Sequence, residues 1–142
     1  MRWVALNGAL LALVVLTLAG FEVTGRPAAA VEASVRRYAT AVSSSDLEAA
    51  MAEIAPDQRA RWIDWVSGQL GNVYEVRGVA VRAPAPLERL LHHLPGGPTE
   101  VTVVIDVDRG FPDEFYQGTT TVTLEQSDGR WLLAAPLLAT TE

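Results

Sequence analysis

Two successive hydrophobic periods predict an α+β protein, in which N-terminal helices pack on a curved, mostly antiparallel sheet. From Val31 to Leu70 the apolar residues recur at helical spacing. From Val73 onward they alternate, and Ser127, Asp128 and Gly129 mark a tight turn between two late strands. A third observation sets a single hydrophobic helix in front of this domain. Trp3 to Phe21 is an uncharged run of 19 residues, about 28 Å long as a helix and close to the thickness of a bilayer core.

That first segment is hydrophobic on every side, interrupted only by Asn7 and Thr17. Two readings fit it. One is an uncleaved anchor, with Trp3 and Phe21 at its ends as interfacial aromatics. The other is a cleavable signal peptide, with Arg2 as its basic region and small residues near Ala19, although no clear A-x-A site follows. Residues 1–24 are therefore read as anchor or signal peptide, 25–30 as linker and 31–142 as the domain. Arg2 and the α-amino group, set against Glu22 and Arg26, favour the domain on the extracytoplasmic side. Counting as far as Arg36 and Arg37 reverses that balance. Cleavage would instead make the protein secreted.

The domain opens at Pro27, whose missing N–H is harmless in a first helical turn. Val31, Val35, Tyr38 and Val42 then form one stripe, with Glu32 and Arg36 spaced for an ion pair on the outer face. Ser43, Ser44 and Ser45 break this helix. Ser45 and Glu48 read as a capping box for the next, whose apolar face is Leu47, Met51 and Ile54. Ala55, Pro56 and Asp57 lead into a third helix that should bury Trp62, Trp65, Val66, Gln69 and Leu70 and stop at Gly71 and Asn72.

Val73 to Ala83 alternates with a phase slip at Gly78, the mark of a bulge. Pro84 and Pro86 close it. Leu87, Leu90, Leu91 and Leu94 predict a short helix ending at Pro95. Glu100 to Asp108 is the clearest strand, with Val101, Val103, Ile105 and Val107 on the buried face. Phe115 to Gln126 is a Thr-rich strand, and Arg130 to Leu138 returns beside it.

Composition narrows the function classes. The chain has 142 residues, enough for one domain. Acidic residues outnumber basic ones 17 to 11, for a net charge of −6. That disfavours nucleic acid and anionic lipid headgroups as partners. There is no cysteine, which excludes disulfides, thiolate metal sites and thiol-linked lipids. All basic residues are Arg, so Schiff-base and phosphate-loop lysine chemistry is excluded too.

The stretch Val35, Arg36, Arg37, Tyr38 through Asp46, Leu47, Glu48 to Ile54 and Pro56, together with the closing Gly129, Arg130, Trp131, Leu132 and Leu133, resembles the NTF2-like, or SnoaL-like, superfamily. The resemblance covers Val31 to Leu138. It implies a cone: a strongly curved sheet wrapped by helices (NTF2-like/cystatin-like). Ketosteroid-isomerase-like members hold an oxyanion with a first-helix Tyr, beside an Asp base and a protonated Asp in an apolar cavity. Tyr38 sits at a position similar to that Tyr. The base does not carry over cleanly. Asp64 falls about 200° around its helix from Trp62, and Asp106 points to the face opposite Val103.

The remaining candidates are weaker. His92 and His93 are adjacent, so on a helix they diverge by about 100° and cannot chelate one metal. Asp106, Asp108, Asp113 and Glu114 lack the spacing and central Gly of a calcium loop. Trp62 and Trp65 read as core residues or as a ligand platform. No cofactor is implied. Two functions remain open. The first is a tethered, non-enzymatic binding or scaffold domain for a small apolar ligand or a membrane protein partner, such as a single-span accessory subunit of a membrane complex. The second is an isomerase- or hydratase-like enzyme acting on a small apolar substrate. The discriminating feature is a buried carboxylate facing Tyr38, which only the enzyme requires.

Overall fold

The structure, a computed structural model, describes residues 28–82, 99–108 and 115–139. Helix α1 is described over residues 28–43. Two further helices, α2 (Leu47–Ala52) and α3 (Arg59–Gln69), precede four strands: β1 (Val73–Val81), β2 (Thr99–Asp108), β3 (Phe115–Ser127) and β4 (Arg130–Leu133). The strands form one curled antiparallel sheet in the order β1-β2-β3-β4. The predicted helix over Leu87 to Leu94 and the hydrophobic run Trp3 to Phe21 lie outside the described residues. Among the described residues no helix is long and apolar enough to cross a membrane.

The expected stripe of α1 is the wall of the core. Val31, Val35, Tyr38 and Val42 are all fully buried, and Arg36 Nε lies 2.8 Å from Glu32 Oε1 on the outer face. The end of α1 differs in detail from the sequence expectation. Ser45 takes a left-handed backbone, φ 59°, and the N–H of Asp46 reaches back to the Ala41 carbonyl at 2.9 Å while that of Ser45 reaches Val42. This is a Schellman-type stop built on a serine instead of glycine. Ser45 is thereby used to end α1 and cannot cap α2. The cap is Asp46, whose Oδ1 accepts the Ala49 N–H at 2.9 Å.

Helix α3 turns Trp62 and Val66 into the core, while Trp65, Gln69 and Leu70 are only half-buried. The buried stripe of α3 is therefore narrower than the expected one, which also included Trp65, Gln69 and Leu70. Gly71, at φ 85°, turns the chain into β1, and its N–H donates to the Val42 carbonyl, tying the turn to the end of α1. The bulge appears where the alternation slips, between Val76 and Gly78. Val101, Val103, Ile105 and Val107 are fully buried on the concave face of β2. The turn at Asp128 and Gly129 has both residues at positive φ, 50° and 76°, the tight type whose twist matches its strands.

The return strand is shorter than expected, ending at Leu133. Pro136 has no N–H to offer a ladder, and Leu138 sits at φ 65°, so the chain turns instead. The free side of β4 is used by the segment after α2. Ile54 bridges Leu133 in parallel, with the Leu133 N–H donating to the Glu53 carbonyl and the Ala55 N–H to the Leu133 carbonyl, both at 2.8 Å.

Candidate functional site

Tyr38, Trp62 and Tyr74 belong to the core cluster with the concave face of β2, and Trp65 packs at its margin. Tyr38 is fully buried, and its hydroxyl has no hydrogen-bond partner among the described residues. Burial pushes that hydroxyl well above the ordinary tyrosine range, and neighbouring Tyr74 adds to the rise. It therefore remains a protonated donor at any working pH. The Trp62 indole N–H is also buried without a partner, under the Arg61 guanidinium, which lies 4.8 Å from the ring centroid. Tyr74, by contrast, donates its hydroxyl to Gln69 Oε1 at 3.2 Å. The Tyr38 hydroxyl and the Trp62 N–H are thus two buried donors without a partner among the described residues.

The carboxylates are placed elsewhere. Asp64 is exposed on α3. Asp106 is on the sheet face opposite Val103 and Ile105, as its parity predicts, yet it is only 3% exposed. Its Oδ2 accepts from Arg77 Nε at 2.8 Å, and its Oδ1 has no partner. Arg77 also pairs with Glu75 at 3.0 Å. Among the described residues no carboxylate contributes to the shift at Tyr38. His92, His93, Asp113 and Glu114 lie outside the described residues. Among those described, no group of His, Asp or Glu is arranged to hold a metal ion.

Little in the sequence marks Glu53, whose carboxylate accepts four side-chain hydrogen bonds. It is 5% exposed. Its carboxylate accepts from Arg37 Nε at 2.8 Å and Arg37 Nη2 at 3.0 Å, from Ser34 Oγ at 2.9 Å and from Arg130 Nη2 at 2.9 Å. Three elements converge there: α1 supplies Ser34 and Arg37, the end of α2 supplies Glu53, and β4 supplies Arg130. Desolvation raises the carboxyl's proton affinity. The hydrogen bonds from Arg37 and Ser34 and the charges of Arg37 and Arg130 more than offset that, so its pKa lies below the ordinary carboxylate range. In return, the bond to Glu53 raises Arg37. Only one sequence signal pointed to the site: Glu53 at the end of α2, on the side of Ala50 and Ile54. The hydrogen bond from Arg130 to Glu53 joins residues 77 apart.

Beside this cluster, α1 and α2 enclose an open groove of about 500 Å³, with Ala41, Ala49 and Ala52 along it and Arg37, Glu53 and Asp46 among its polar lining. The cluster ties α1 and the end of α2 to β4. No protein-family model, curated protein or solved structure matches the chain.

Proposed function

We propose that this chain is a membrane-tethered, NTF2-like binding domain without catalytic chemistry. It is held by Trp3 to Phe21 on the extracytoplasmic side and takes a small, mostly apolar ligand bearing one acceptor oxygen. One observation carries the reading: among the described residues, the Tyr38 hydroxyl and the Trp62 N–H are buried and unpartnered in an apolar core, where no described carboxylate acts on Tyr38. An unpaired buried donor costs on the order of 1–3 kcal/mol. A ligand oxygen would remove that cost, which gives binding its polar specificity. Proton abstraction needs a base within hydrogen-bond reach of the substrate, and the described carboxylates are held by arginines or face solvent. The order of helices and curled sheet agrees with the resemblance that suggested a cone. A role as a single-span accessory subunit of a membrane complex is compatible with the same tether.

The test uses the full chain in detergent and two probes of one size, 2-decalone and decalin. The ketone should bind more tightly than the hydrocarbon by calorimetry, and Tyr38→Phe should erase the difference. Equal affinities would remove the polar contact from the proposal. Turnover of a β,γ-unsaturated ketone, lost in Tyr38→Phe, would replace the binding reading with the isomerase. Carbonate washing of membranes, followed by intact-mass measurement, tests the tether. A retained chain beginning at Met1 is the expected result, and a mass beginning near Phe21 would make the protein secreted.

A further inference from the structure

The two edges of the sheet are built differently. Edge β1 is blunted in several ways. It carries Glu75 and Arg77, it is broken by the bulge between Val76 and Gly78, and its Val76 carbonyl accepts from Arg36 Nη1 at 2.9 Å. Charges, bulges and covering groups are the usual means of keeping a strand edge from pairing with another chain.

Among the described residues, edge β3 has none of these over most of its length. Strand β4 pairs only with Leu124 to Ser127, and the Ala134 N–H takes the Thr123 carbonyl. From Phe115 to Val122 no described residue pairs with the side of β3 away from β2. This stretch is roughly 27 Å long at about 3.4 Å per residue. The register with β2 is unbroken from Thr99 to Asp108, so backbone direction alternates regularly. Since the Thr123 carbonyl points toward β4, the N–H and C=O groups of Thr121, Thr119, Gln117 and Phe115 point out of the sheet on that same side. The segment from Phe115 to Leu124 holds no charged residue and no proline. It is rich in β-branched residues, and Phe115 and Tyr116 at its start are 66% and 41% exposed.

We infer that this edge pairs with the same edge of a second copy, antiparallel about a two-fold axis at Thr119, continuing the sheet from one chain into the next. Thr119 then faces its own counterpart, and Gln117 faces Thr121 of the second copy, each pair exchanging backbone hydrogen bonds. Self-pairing sets every residue against a residue of the same strand. An edge with any charge near its centre would repel itself, and this one has none. Threonine pairs across strands are favourable. The chain's net charge of −6 opposes approach elsewhere, so the uncharged edge is where two copies can meet. The blunted β1 edge stops growth there, and the assembly closes as a dimer. This inference is independent of the ligand proposed for the cone.

The absence of cysteine makes the test direct. In the full chain, Thr119→Cys places two thiols opposite each other, at a Cα separation near the usual disulfide range of about 5.5 Å. Mild oxidation should yield a covalent dimer, while Ala80→Cys, exposed on the other edge, should not. Light scattering of the full chain in detergent should show a dimer. Thr119→Lys should weaken it at least about tenfold by setting like charges opposite each other, with an unchanged far-ultraviolet circular dichroism spectrum, while Ala80→Lys should have no effect. A monomer at every concentration would overturn the inference and leave a strand from a different protein as the occupant. So would a dimer that survives Thr119→Lys without cross-linking through Thr119→Cys, because association would then come from elsewhere in the chain.

Discussion

Replacing Glu53 by alanine tests whether the clasp between helices and sheet holds the domain together. The substitution removes the acceptor for four hydrogen bonds, three from arginines and one from Ser34. Breaking a buried ion pair from one side costs about 3–5 kcal/mol when the partner charge remains buried. Here Arg37 and Arg130 keep 51% and 56% of their side-chain surface in water, so they are resolvated on release and the cost falls below that range. Ser34 cannot reach water, being fully buried, and an orphaned buried hydroxyl costs about 1–3 kcal/mol. Together these suggest a loss of about 3 kcal/mol, or about 10 °C in melting temperature for a domain of this size. The assay is a thermal or urea melt followed by circular dichroism, with exposed Glu48→Ala as the control, expected within about 0.5 kcal/mol of the parent. A loss under about 1 kcal/mol in Glu53→Ala would show that the cluster is a surface feature and not a clasp. The pH dependence gives a second reading with a definite sign. The folded pKa of Glu53 is depressed below its ordinary value of 4.5, so the unfolded chain binds the proton more readily. Its contribution is complete above 4.5 and is lost as pH falls through the lower, folded value. Glu53→Gln should remove that acid-limb dependence, and an unchanged acid limb would assign it to other carboxylates.

Three other substitutions probe the sheet and its turns. Val103→Asp should leave the domain unfolded, because it buries an unpaired charge at a fully enclosed position. Val104→Asp, one residue along on the opposite face and already 42% exposed, should melt within about 1 kcal/mol of the parent. Equal behaviour in a thermal melt would refute the register. Gly71→Ala should cost about 1 kcal/mol, since the residue holds φ 85° and a Cβ there meets Ser45 Oγ at 3.4 Å. Gly118→Ala should instead act on one side chain. Its Cβ would lie 2.5 Å from the Tyr116 hydroxyl, and Tyr116, being exposed, should swing away with a change in near-ultraviolet dichroism and little loss of stability.

Much of the fold is legible in the chain because it rests on local periodicity. The α1 stripe, the odd-numbered face of β2, the bulge before Gly78 and the tight turn at Asp128 and Gly129 each follow from neighbours within a few residues. There a side chain's direction is set by helical or strand geometry alone. The same rule placed Asp106 on the face away from Val103, although its burial was not foreseen. Its ion partner Arg77 comes from the neighbouring strand β1, a cross-strand contact that no local pattern encodes. The helix ends went partly astray because Ser45 could serve as stop or as cap, and only the hydrogen bond from Asp46 back to Ala41 decides between them.

Glu53 shows the boundary most clearly. By itself the sequence determined that a glutamate ends α2 near its apolar side, and that Arg37 and Arg130 exist somewhere in the chain. Only the tertiary structure decided that the three meet, because the Ile54 to Leu133 bridge closes a loop of nearly eighty residues, a contact no local pattern encodes. The free edge of β3 divides the same way. Its uncharged, β-branched character is written in the residues from Phe115 to Leu124. That no described residue pairs with it follows from where β4 stops, at the residues leading to Pro136, whose missing N–H cannot extend a ladder.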